Sequence, residues 1–255
     1  VPNSESLLPT PPTPAAVPGQ TERPGASFGV FADERRVRSF HPRRGRLTSS
    51  QADALDRLWE RLGVEIDGTP LDPRALFDRR LPVVLEIGFG MGETTAAMAE
   101  ADRDTAVLAV DVHTPGHGNL LRLIGERGLD NVRPAFGDAV VLLRDMLPAA
   151  SLAGLRVYFP DPWPKKRHHK RRLIRPEFLD LALPKLAPGA LVHCATDWLP
   201  YAEQMLEVLS ADPRLENLHP DTGFAPRPDW RPVTKFERQG LAKGHEVRDL
   251  LFRLR

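Results

Sequence analysis

Apolar residues recur along the chain in two different periods. At Ala54, Leu55, Leu58, Trp59 and Leu62 the spacing is three or four residues. That spacing predicts a helix, capped by Thr48 or Ser49 and stopped by Gly63. From Leu81 onward the pattern becomes a series of short unbroken apolar runs, at 81–87, 106–111, 132–136, 155–159 and 190–195. Helix-compatible stretches stand beside them, at 92–101, 115–128, 138–147, 177–186 and 199–211. Strand and helix thus alternate about five times, which predicts an α/β fold: a doubly wound, mostly parallel sheet with helices on both faces. Residues 247–254 alternate apolar and charged and are expected to form a late strand, added antiparallel at the sheet edge. No internal repeat is visible.

The ends of the chain read differently. Residues 1–25 hold seven prolines among Ser, Thr, Gly and Gln, too little apolar surface to offset the entropy of ordering. A disordered Pro-rich tail is expected over 1–34. A basic arm over 35–50 follows, with Arg35, Arg36, Arg38, His41, Arg43, Arg44 and Arg46. A single domain is expected over 51–255. No apolar run approaches the roughly 20 residues of a membrane span, no signal-peptide pattern opens the chain, and Cys194 is the sole cysteine of the sequence. These features make a cytoplasmic protein without a membrane partner the expectation. A formal net charge of +1 does not by itself suggest nucleic acid, but Lys and Arg crowd into two short stretches, and a small net charge can hide a strong local field.

Candidate chemistry begins where the first predicted strand ends, at Glu86-Ile-Gly88-Phe-Gly90-Met-Gly92. A glycine-rich turn between strand and helix lets a ligand approach the backbone. The second strand ends at Asp111, 23 residues after Gly88 (111 − 88), where an acid is placed to take hydrogen bonds from ribose hydroxyls. Dinucleotide sites usually show GxGxxG; here the spacing is GxGxG, with Glu86 just before it. A carboxylate there repels a pyrophosphate and suits the cationic S-adenosylmethionine. The bland alternative is an ordinary tight turn with a surface acid. Asp138, ending the third strand, fits a helix cap; in a methyltransferase an acid there can also meet an adenine amino group.

The fourth strand runs into Tyr158-Phe-Pro-Asp161-Pro-Trp163-Pro164, a stiff loop with one carboxylate and one large aromatic, expected beside the glycine turn. It suits a base-binding platform, or is a loop packed by its own Trp. Seven of the residues 165–175 are Lys or Arg; with the arm, two basic patches could follow a phosphate backbone. A solvated face or a nuclear-localisation signal are the competing readings. Near the C-terminus, Thr234 and Glu237 have the spacing of a capping box or could help hold a base or the cofactor tail.

These motifs together carry a resemblance. EIGFGMG (86–92), VDVHTPG (110–116), GDA (137–139), FPDPWPKKRHHKRR (159–172), TDW (196–198) and RPVTKFERQG (231–240) resemble those of the bacterial tRNA (guanine-N7-)-methyltransferases, over roughly residues 38–255. The resemblance implies the Rossmann-like class I methyltransferase fold and S-adenosylmethionine as co-substrate. It implies donor contacts from Glu86, Gly88, Gly90, Asp111, Asp138, Ala139 and Asp161, with Asp161 also in the catalytic position. It implies substrate contacts from Lys165, Asp197, Thr234, Lys235, Phe236 and Glu237. The implied partner is tRNA, with the variable-loop guanosine at tRNA position 46 as target and 7-methylguanosine as product. The family usually has Glu where Asp111 stands; Asp keeps the charge on a side chain one methylene shorter.

Two rival functions keep the same residues. A methyltransferase acting on a small molecule or protein explains the glycine turn but not the basic patches. A non-catalytic RNA-binding relative predicts tRNA binding without donor binding. His168 and His169, adjacent in a cationic run without nearby carboxylates, suggest no metal site. Monomer and homodimer are both compatible with the sequence.

Overall fold

The computed structural model of the chain describes residues 46–234, 237 and 246–255. The tail expected over 1–34, the arm residues before Arg46, and Lys235 and Phe236 lie outside them. Thr48 caps the first helix, α1 (Ser49–Leu62), with a full capping box: its side chain accepts from the Gln51 N–H, and the Gln51 side chain reaches back to the Thr48 N–H. Helix α1 packs on α3 (Thr114–Arg127). Gly118 allows the close approach, since a Cβ there would stand 2.7 Å from the Gln51 carbonyl oxygen.

The strands are β1 (Val64–Glu65), β2 (Val83–Ile87), β3 (Ala106–Asp111), β4 (Val132–Phe136), β5 (Leu152–Tyr158), β6 (Leu186–Thr196), β7 (Leu215–Asn217) and β8 (Arg248–Leu254). They form one sheet in the order β1-β4-β3-β2-β5-β6-β8-β7. All pairings up to β6 are parallel; β8 is antiparallel to both its neighbours. The remaining helices are α2 (Glu93–Ala101), α4 (Ala139–Val141), α5 (Pro176–Ala182) and α6 (Leu199–Ala211).

Side-chain alternation divides the sheet between two cores. Leu85 and Ile87, Leu108 and Val110, Leu155 and Val157, Val192 and Cys194 share one cluster with residues of α5 and α6. Val107 and Ala109 face the other way, into a cluster with α1, α2 and α3. Each fully buried leucine among these contributes roughly 1.5–3 kcal/mol. The covering helices change face between β2 and β5. Such a switch point leaves a crevice at the carboxyl ends of the two strands.

The structure corrects several expectations. Residues 248–254 do form an antiparallel strand, but β8 is interior, paired on one side with β6 (Thr196 to Arg248, Leu191 to Arg253) and on the other with β7. The edge belongs to β7, whose three residues are too few to show an alternation. Strand β6 begins at Leu186 rather than 190 and carries a register shift across Pro188-Gly189: Leu152 faces Leu186, yet Gly154 faces Leu191. The helix expected at 138–147 is one α-helical turn followed by a π-helical turn at Leu142–Met146. The helix expected at 177–186 tightens at Pro184 into a 3-10 turn, Leu183–Lys185.

Candidate active site

Beyond β2 the chain turns through three glycines into α2. The Gly88 N–H donates to the Val110 carbonyl at 2.8 Å, fastening the turn to β3. Gly90 has φ 60°, with open space where a Cβ would project. Its carbonyl lies so close to α3 that a Cβ on Gly116 would come within 1.9 Å of it. The backbone can lie this tightly against the helix, with open space on its other side, because neither residue has a side chain.

Glu86 points to the face opposite Leu85 and Ile87, toward α2, and is 3% exposed. Its Oε1 accepts a hydrogen bond from the Thr95 hydroxyl at 2.8 Å; its Oε2 is buried without a hydrogen-bond partner. Burial pushes this carboxyl above the usual carboxylate range; Arg156 and the Thr95 bond oppose the shift, and Asp111 adds to it. A buried carboxylate oxygen without a partner is costly, and a cationic ligand would relieve that cost.

Asp111 ends β3 and grips the glycine turn. Its Oδ2 accepts from the Gly90 N–H at 2.8 Å, and its Oδ1 from the N–H groups of Val112 (2.6 Å) and His113 (3.0 Å). A carboxylate offers about four lone-pair positions, so these three bonds leave one for a hydroxyl. Asp138 caps α4, accepting from the Val140 N–H at 2.9 Å; Ala139, at 1% exposure, opens that helix.

Strand β5 pairs with β2, Glu86 opposite Arg156 and Ile87 opposite Val157, so the next loop leaves the sheet beside the glycine turn. Phe159 (φ 51°) and Trp163 (φ 44°) are both left-handed, a conformation costing of order 1–3 kcal/mol for a non-glycine residue. They bracket Pro160-Asp161-Pro162. The Phe159 N–H is held by the Ala195 carbonyl at 2.7 Å. Arg171 lies over the Trp163 ring, 5.0 Å from its centre, and the His168 ring stands perpendicular to it. Asp161 is exposed within this braced loop.

The basic run coils into a 3-10 turn, Lys166–Arg171, with Lys165, Lys166, Arg167, Lys170 and Arg171 exposed. Arg172 departs from the expected cationic track. It is 2% exposed, and its Nε donates to the Pro162 carbonyl at 2.9 Å. Its Nη1 donates to the Gln204 side chain, and its guanidinium lies 4.7 Å from the Tyr201 ring centre. Charge counting alone cannot distinguish this loop anchor from an anion contact.

Asp197 follows β6 at the same end of the sheet, half-buried, before the exposed Trp198. Thr234 and Glu237 form the capping box that their spacing suggested: Glu237 N–H donates to Thr234 Oγ1 at 2.9 Å, and Thr234 N–H to Glu237 Oε2 at 3.2 Å. The residue pattern did not single out a buried polar group behind the Phe159 loop, comprising Tyr158, His193, Arg231 and Asp249. Its signal was present: His193 and Asp249 stand inside strand runs, and a charged residue in an interior strand requires a partner.

A doubly wound sheet with a late antiparallel strand, a glycine turn over a buried acid, and a second acid at the next strand end is a class I methyltransferase fold. A family model described as "Putative methyltransferase" matches residues 80–250. The tRNA (guanine-N(7)-)-methyltransferase of Streptomyces avermitilis is 69% identical over 220 residues, 86% of this chain and 76% of that protein. The enzyme of the same name from Aromatoleum aromaticum is 53% identical over 94% of this chain and 90% of that one. Among solved structures, the 16S rRNA methyltransferase KamB aligns with a TM-score of 0.48 and 18% identity, over 71% of this chain and 90% of that one. The chain belongs to the tRNA (guanine-N(7)-)-methyltransferase family.

Proposed function

We propose that this protein transfers a methyl group from S-adenosylmethionine to N7 of a guanosine in tRNA, the variable-loop guanosine being its target. The observation that carries the donor side is the unpartnered Glu86 Oε2, buried next to the glycine turn. It suits the donor's ammonium group, and the spare acceptor position on Asp111 suits a ribose hydroxyl. Gly88 and Gly90 leave room for the donor, and Asp138 with Ala139 lies at the end of β4, where the adenine would sit. Asp161, on the adjacent loop, borders donor and base alike. Lys165, Asp197, Thr234, Lys235, Phe236 and Glu237 make up the substrate side. The family name supports tRNA as the nucleic acid, and the exposed cations beside the loop suit its phosphates.

Guanine N7 has a free lone pair at neutral pH, so no base is needed to activate it. The N7–CH3 bond forms as the S–CH3 bond breaks; sulfur keeps the bonding pair, and positive charge passes to the guanine. The protein's task is then alignment, for which roughly 7–11 kcal/mol is accessible, together with a carboxylate near the developing charge. Asp161 is placed for the second role.

Nucleoside analysis of bulk tRNA after incubation with enzyme and donor is the direct test. The expected result is new 7-methylguanosine, mapped to the variable loop. Asp161→Asn is expected to keep donor binding, weakened only severalfold by the lost contact, and to lose about 100-fold or more in turnover. Absence of 7-methylguanosine with the unaltered enzyme would refute the activity, and near-normal turnover by Asp161→Asn would remove that residue from the chemistry.

A further inference from the structure

Arg231 is completely buried, at 0% exposure. Its guanidinium is engaged by two carboxylates. Nε donates to Asp249 Oδ1 at 2.7 Å and Nη2 to Asp249 Oδ2 at 2.8 Å. On the other edge, Nη1 donates to Glu237 Oε2 at 2.7 Å and Nη2 to Glu237 Oε1 at 3.1 Å. Asp249 in turn meets His193 Nε2 at 2.7 Å, and His193 Nδ1 meets the Tyr158 hydroxyl at 2.9 Å. The row therefore crosses β5, β6 and β8 and ends on Glu237, outside the sheet.

The two ends of this row are functionally placed. Tyr158 immediately precedes the left-handed Phe159, whose ring lies 5.8 Å from the Arg231 guanidinium carbon. Glu237 spends both carboxylate oxygens on Arg231 and the Thr234 N–H, so it fixes the turn that carries Thr234. The Thr234 oxygen accepts from the Glu237 N–H, which leaves its hydroxyl proton free to donate. One side chain thus touches both the loop presenting Asp161 and the turn presenting Thr234.

Net stability is weak grounds for such a group. Apolar residues of the same shape often hold a fold as well as a buried ion network, because desolvation offsets the charge attraction. What two forked contacts supply is a fixed geometry. We propose that Arg231 is a positioning residue for methyl transfer: through Glu237 and Asp249 it locks Thr234 and Glu237 in register with the Phe159–Trp163 loop. This rests on the proposed function, in which these two segments face the target guanine.

Two substitutions test it, each compared with the unaltered enzyme. Arg231→Lys keeps the charge and removes the forks; Asp249→Asn keeps the shape of the inner partner, which has no place in the substrate site, and removes its charge, and it decides the matter if Arg231→Lys fails to fold. For each, donor Kd, the number of donor-binding sites and the single-turnover methylation rate of bulk tRNA are measured. The expected result is donor Kd within about twofold, with a rate per donor-binding site at least about tenfold lower, as misalignment of bound reactants predicts. A purely structural role would lower the number of binding sites and leave the rate per site unchanged. A rate per site within about threefold of the unaltered enzyme, in either folded variant, overturns the proposal. Failure of the functional reading is separately visible, since the unaltered enzyme would then form no 7-methylguanosine.

Discussion

Glu86 holds a carboxylate where water cannot reach one of its oxygens, and this has consequences at the scale of a single residue. Its folded pKa is raised, chiefly by burial, so between the unfolded and folded values the native state binds more protons than the unfolded chain. By linkage, its contribution to stability falls as pH rises from the ordinary carboxylate range through the raised value, and the penalty persists above it. A cation bound beside Glu86 favours the ionised form. Donor affinity is therefore expected to rise with pH over the same window, read by calorimetry. Glu86→Gln is expected to weaken donor binding about 10–100-fold at neutral pH, to abolish that pH dependence, and to raise the thermal midpoint of the free protein. Equal affinity at every pH, shared by the variant, would remove Glu86 from the donor site. The glycine turn and the acid before it were legible in the sequence because their placement depends on a few neighbouring positions. The unsatisfied oxygen was not, because solvent exclusion there comes from α2, folded over the strand.

Elements explain why one basic run contains two kinds of cation. Arg172 ties the Pro162 carbonyl to α6 through Gln204 and Tyr201, whereas Lys165 and Lys166 are exposed at the start of the 3-10 turn. Arg172→Ala is expected to destabilise the protein by about 1–3 kcal/mol in denaturant melts and to lower turnover, because the loop carrying Asp161 is no longer braced. The salt dependence of tRNA binding should keep its slope. Replacing Lys165 and Lys166 by Gln is expected to do the reverse: stability unchanged, and the slope of log K against log salt reduced by about 1 for each phosphate no longer neutralised. A flattened slope for Arg172→Ala would return that residue to the RNA-binding surface. From sequence the seven cations look equivalent. They separate because a turn of about three residues per repeat carries some outward and leaves the next against α6.

At the scale of the whole molecule, β8 holds the far half of the sheet together. Leu250, Leu251 and Phe252 are buried, and each contributes roughly 1.5–3 kcal/mol, a sum comparable to the roughly 5–15 kcal/mol that holds a domain folded. Removing residues 248–255 also unpairs β6 and β7 and takes Asp249 from Arg231. The truncated chain is expected to show no cooperative thermal transition by circular dichroism; a sharp transition near that of the full chain would mean that β8 is dispensable. The alternation of strands and helices, the helix caps, the glycine turn and the stiff proline loop could all be read from residue order, since each depends on spacing over a few positions. Chain order could not place β8 inside the sheet, bury Arg172, or bring Arg231 to Glu237 and Asp249. Those outcomes depend on which surfaces meet after segments distant in sequence pack, when burial and pairing, rather than residue type, determine what each charge does.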